Sequence, residues 1–134
     1  MKKLLIHSVV AGLLASLASI IYLNIYQGAL GTEYGEIINV GSILGSCLIG
    51  CVLMTVGYAC LLKFDKLHLK GWLNVVIAIL SFASIIGPIG MSLPLSIEYP
   101  ELFPGLVVPM HFFPALAFMA IYPLFSIKGE ELSS

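Results

Sequence analysis

One histidine, His111, lies inside a long apolar run that also carries Pro104, Pro109, Pro114 and Pro123. Hydrocarbon offers a polar group no partner, so an imidazole placed there must find one in the protein. Three polar residues are candidates: Asn24, Glu36 and Asn39. Folding the chain into antiparallel spans brings all four within about two turns of one membrane boundary. Tyr22 and Tyr26 are placed to line the same region. A carboxylate on one imidazole nitrogen fixes the tautomer of the other, so a Glu36–His111 pair has the chemistry of a proton- or ligand-linked site. The bland alternatives are that Glu36 marks a helix N-terminus, where acids are favoured, and that His111 is an interfacial or interhelical hydrogen-bonding residue with no ligand.

The prolines decide how deep His111 lies. A helix starting at Pro109 uses proline at its first position and leaves His111 in the first turn. A helix starting near Pro104 passes through Pro109 and Pro114, freeing the carbonyls of Gly105 and Met110. Freed carbonyls either line a cavity or are satisfied by a neighbouring helix.

Other chemistry is sparse. Cys47, Cys51 and Cys60 fall in one apolar run without Cys-x-x-Cys spacing, and read as small packing residues. His7, beside Lys2 and Lys3, and His68, in a polar connection, read as solvated or interfacial. No set of His, Cys and acids has metal-ligand spacing, and no cofactor motif is evident. A nucleophile with its base, or a pair of acids, is also missing, so no enzymatic role is expected. The chain contains no arginine and no basic stripe, which argues against a nucleic-acid partner. Small multidrug transporters need an acid within their first helix, fluoride channels an arginine, quinone-linked disulfide enzymes Cys-x-x-Cys pairs, and claudin-like proteins a long cysteine-bearing loop. None of these is present.

The elements that must carry these residues are clear. The chain of 134 residues is 60% hydrophobic and 10% charged, with a mean hydropathy of +1.08. That composition is too apolar for the surface of a soluble domain. About 20 residues cross a bilayer, so an all-α bundle of four transmembrane helices in one domain, 1–134, is expected. The helices should cover 4–26, 37–62, 72–91 and 104–125, followed by a short polar tail. Pro88 should kink the third. The basic start resembles a signal peptide, but the apolar stretch runs on past the length of one, so an uncleaved first helix is the better reading. All six lysines fall on one side of this arrangement, and Glu33, Glu36, Glu98 and Glu101 on the other. The positive-inside rule then puts both termini in the cytoplasm, with the chain in the cell membrane.

Helices in lipid associate through small residues. The first helix offers Ser8, Gly12, Ala15 and Ser19 on one face, and the second offers Gly41, Gly45 and Gly50. The Gly41-x-x-x-Gly45 pair is expected to pack within the chain; an oligomer interface is the alternative. The leading functional expectation is a non-enzymatic accessory or interaction protein. Its partners would be the lipid bilayer and a second copy or another membrane protein. The alternative is a small-solute or ion transporter or channel, with an outward-facing polar site around His111 and Glu36.

Overall fold

The computed structural model describes residues 2–125; the polar tail at 126–134, with Lys128, lies outside the described residues. Among the described residues there are five α-helices: α1 (Lys2–Leu30), α2 (Val40–Lys63), α3 (Lys70–Ser84), α4 (Ile86–Gly90) and α5 (Phe103–Phe125). No strand occurs among the described residues. Four segments of the described residues are long and apolar enough to cross a membrane: Lys2–Leu30, Val40–Lys63, Leu67–Gly90 and Pro100–Phe125.

The boundaries differ from the sequence expectation for local reasons. Helix α1 runs four residues further, through Gly28, to Leu30. Gly31 ends it at φ +64°, and the N–H groups of Gly31 and Thr32 both reach the Gln27 carbonyl. A left-handed residue after the last turn satisfies the otherwise orphaned carbonyls. Helix α2 starts at Val40, three residues later than expected, because Asn39 caps it. The Asn39 side chain accepts from the Ser42 N–H at 2.9 Å, and the Asn39 N–H donates to Ser42 Oγ at 3.1 Å. The kink expected from Pro88 appears as a break: α3 stops at Ser84 and α4 resumes at Ile86. Pro88 has no N–H for the Ser84 carbonyl, which weakens the helix at that turn. Helix α5 begins at Phe103 after a 3-10 turn over Pro100–Leu102, and passes through Pro109, Pro114 and Pro123. His111 is therefore eight residues, about 12 Å, into its helix.

Helices α1, α2 and α5 form the packed centre. Helix α1 buries a face of Leu4, His7, Ser8, Ala11, Gly12, Ala15, Ser16 and Ser19. A Cβ added at Gly12 would lie 3.2 Å from the Leu48 Cα, so this glycine permits close approach of the α2 backbone. Helix α5 runs antiparallel to α1, with residue 7 opposite 118 and residue 22 opposite 105. The third span is peripheral: Ile77 is the buried residue of α3, while Trp72, Ile79, Phe82 and Ile86 are exposed. Exposed aliphatic surface of this kind suits lipid, which is as apolar as leucine. Lys2, Lys3, Lys63, Lys66 and Lys70 gather at one end of the bundle, and Glu33, Glu36, Glu98 and Glu101 at the other.

Candidate functional site

At the glutamate end, three tyrosines clamp the entrance of α5. Tyr22 and Tyr26 are one turn apart on α1 and share its face. The Tyr22 hydroxyl donates to the Gly105 carbonyl at 2.9 Å, and the Tyr26 hydroxyl to the Leu102 carbonyl at 2.7 Å. Tyr34, fully buried in the α1–α2 connection, donates to the Tyr99 carbonyl at 2.9 Å. Tyr99 itself holds a left-handed conformation at φ +54°. Pro109 denies the Gly105 carbonyl its helical donor, and the Tyr22 hydroxyl replaces it. The Tyr22 and Phe113 rings meet edge to face at 5.9 Å, and those of Tyr34 and Phe103 at 5.4 Å, a favoured aromatic geometry.

The four polar residues singled out in the sequence do not hydrogen-bond one another. His111 is half-buried, and its Nδ1 bonds the Val107 carbonyl of its own helix at 2.7 Å. A carbonyl only accepts, so this nitrogen carries the hydrogen. Asn24 is exposed and donates to the Ile20 carbonyl one turn back at 2.8 Å. Asn39 is occupied as the N-cap of α2. Glu36 is exposed and accepts from the Ser96 hydroxyl at 3.2 Å, linking the α1–α2 and α4–α5 connections. Asn24, Asn39 and His111 thus spend their side chains on nearby backbone, an option short polar side chains always have.

The buried histidine is His7, which the sequence reading leaves at the interface. It is fully buried, and its Nε2–H donates to the Phe118 carbonyl at 2.9 Å. The rings of Phe118, Tyr122 and Phe125 surround it, with centroids 4.2, 5.7 and 5.3 Å away. Its Nδ1 is buried without a partner among the described residues. Proximity to Lys2 and Lys3 suggests solvent, but helical spacing puts His7 on one face with Leu4 and Ala11, and that face meets α5. Nearby, the Tyr58 hydroxyl donates to the Asn74 side-chain oxygen, a polar tie between α2 and α3.

Four of the described glycines lie against another element, while Gly28, Gly31, Gly35, Gly71, Gly87 and Gly90 meet nothing within 4 Å. Gly12 lies against Leu48, Gly50 against Pro114, Gly57 against Leu73 and Gly105 against Tyr26. Gly41 and Gly45 meet no other helix: a Cβ at Gly45 would touch nothing within 4 Å, and one at Gly41 only the neighbouring Asn39 side chain. The Gly41-x-x-x-Gly45 pair is therefore not spent on packing within the chain. It shares an outward face with the exposed Ile49, Val52 and Val56.

Among the described residues, no group of three or more His, Cys, Asp or Glu side chains is placed to hold a metal ion. Comparison of the chain with protein-family models, curated proteins and solved structures returned no match.

Proposed function

We propose that this chain is a small, non-enzymatic, multi-pass protein of the cell membrane that acts by association with another membrane-embedded helix. A second copy of the chain is the first candidate partner, and another membrane protein the second. The carrying observation is the open Gly41/Gly45 face. Small residues four apart let two helix backbones approach closely in lipid, and here that face is left outward while Gly12, Gly57 and Gly105 serve the fold. The adjoining β-branched residues Ile49, Val52 and Val56 extend the ridge with side chains that have little rotamer freedom to lose on packing.

Both termini are assigned to the cytoplasm on the charge asymmetry between the two ends. The transport reading finds less support, because His111 bonds its own helix and Glu36 bonds Ser96.

Cysteine cross-linking tests the association. In a Cys60→Ser background, Gly45→Cys should give an oxidant-dependent dimer or a discrete adduct in native membranes, and Leu13→Cys should not. Gly45→Leu should abolish the same species in a Cys-independent assay such as chemical cross-linking through Lys66. Absence of any adduct, with Gly45→Leu indistinguishable from wild type, rejects the proposal.

A further inference from the structure

The last two turns of α2 carry a groove of about 470 Å³, lined by Val56, Ala59, Cys60, Leu62 and Lys63. Val56, Ala59, Cys60 and Lys63 follow one another at i, i+3, i+4 and i+7, so they share one helix face. Over this face the helix rises about 10 Å. The floor is apolar, and the charge in the wall is the Lys63 ammonium, at the residue where α2 stops. The described lining residues all belong to α2, and Val56, Cys60 and Lys63 are exposed, so the groove opens outward. Outward from a helix that crosses a membrane means toward lipid.

The end of α2 is arranged to favour an anion there. Bare carbonyls at a helix C-terminus carry partial negative charge and repel one. Here the N–H groups of Phe64, Asp65 and Lys66 bond the carbonyls of Cys60, Leu62 and Leu61 at 3.0, 3.3 and 2.8 Å. Asp65 takes the left-handed conformation this requires, at φ +53°, which completes a Schellman motif. The same bonds hold the backbone of Lys66 against the last turn of the groove. Over 63–70 the chain carries Lys63, Lys66 and Lys70 against one acid, Asp65. The exposed Phe64 and Trp72 rings suit the interface between lipid and water at this level.

The groove thus has the polarity of a phospholipid, apolar along its length and positive at headgroup level. A zwitterionic headgroup brings its own cation and gains little from Lys63, whereas an anionic one keeps the attraction. Lysines close to a membrane end hold anionic lipids on this principle.

We infer that the groove binds one anionic phospholipid of the leaflet at the lysine end, with an acyl chain along Val56, Ala59 and Leu62 and the phosphate at Lys63. The inference rests on the membrane placement proposed above, and not on association through Gly41 and Gly45. The test uses the full chain in an uncharged detergent, with equimolar dioleoyl phosphatidylglycerol and dioleoyl phosphatidylcholine. Native mass spectrometry counts the lipid adducts on monomer ions, which separates lipid binding from self-association. Phosphatidylglycerol should be retained over phosphatidylcholine by roughly fivefold. Lys63→Gln leaves the groove and removes its charge, and should bring the ratio close to one. Cys60→Trp fills the groove from an exposed position and leaves every charge in place, and should also remove the preference. Unchanged melting by circular dichroism separates these effects from unfolding, and Lys63→Gln, at an exposed side chain, carries the test alone if Cys60→Trp does not fold. Equal retention of the two lipids by wild type, or a preference that survives in either folded variant, overturns the inference. Loss of a dimer rather than of the lipid adduct in Cys60→Trp assigns the groove to a second copy and overturns it as well.

Discussion

The Tyr22 hydroxyl stands 2.9 Å from the Gly105 carbonyl, the one acceptor in α5 that Pro109 deprives of its helical donor. A proline inside a membrane helix is tolerated when a neighbouring helix satisfies the freed carbonyl, and here a single phenol does so. Tyr22→Phe should cost about 0.6 kcal/mol, and at most about 1.7 kcal/mol, in line with interhelical hydrogen bonds in membranes. Pro109→Ala restores an N–H for the same carbonyl. In a double-mutant cycle, the Tyr22→Phe cost should shrink once Pro109 is replaced. Detergent unfolding of the four proteins measures this; equal costs in both backgrounds would show that the bond and the proline are unlinked.

Gly12 and Gly45 should respond oppositely to alanine. At Gly12 the new Cβ meets the Leu48 Cδ2 at 2.7 Å and the Leu48 Cα at 3.2 Å, and backbone cannot step aside as a flexible side chain can. Helices α1 and α2 must part, at a cost of about 1–3 kcal/mol. At Gly45 no atom is met, and alanine is the better helix former by roughly 1 kcal/mol. Unfolding of dilute protein, where association is suppressed, should rank Gly45→Ala at or above wild type and Gly12→Ala below it.

His7 should matter more to stability than His111. His7→Ala empties a fully buried site among three aromatic rings and removes the bond to Phe118, at a cost of about 3 kcal/mol. His111→Ala gives up one bond within its own helix from a half-buried position, at a cost of about 1 kcal/mol or less. His7→Phe keeps the ring and should recover part of the loss. Thermal unfolding of the three variants orders them; a larger loss at His111 would contradict the burial described above.

Cysteine reactivity reports both packing and orientation. Cys60 is exposed in the last turns of α2, whereas Cys47 and Cys51 are buried. A membrane-permeant maleimide should modify one cysteine per chain, and Cys60→Ser should abolish labelling. With both termini cytoplasmic, an impermeant maleimide should label Cys60 only in opened cells. Labelling in intact cells would invert the assigned topology.

Much of the fold is legible in the sequence because the bilayer as solvent leaves few choices. Four apolar stretches, each long enough to cross, follow from hydrophobicity and length alone, as does the separation of lysines from glutamates between the two ends. The capping of α2 is also a local matter between Asn39 and Ser42. The helix ends are less legible, since an end can turn on a single backbone conformation, such as Gly31 at φ +64°.

The site was much less legible. Depth along a span can be counted from the sequence, but the direction a side chain faces depends on which helix lies beside it. By sequence His111 reads as a partner for Glu36 or as an interfacial or interhelical residue, yet it turns back onto Val107; His7 reads as solvated or interfacial, yet α5 covers it. The identity of the partner to a freed carbonyl is likewise non-local: Pro109 announces that Gly105 needs a donor, and only the packing of α1 against α5 makes that donor Tyr22. The same holds for the glycines. Spacing marks Gly12 and Gly45 alike as small residues on a helix face, and the tertiary structure alone separates the one pressed against Leu48 from the one left open. By itself the sequence determined the spans and the charge at each end, because these depend on transfer between water and lipid, residue by residue. The tertiary structure decided which polar groups are buried and which helix faces remain free, because these depend on contacts between residues far apart in the chain.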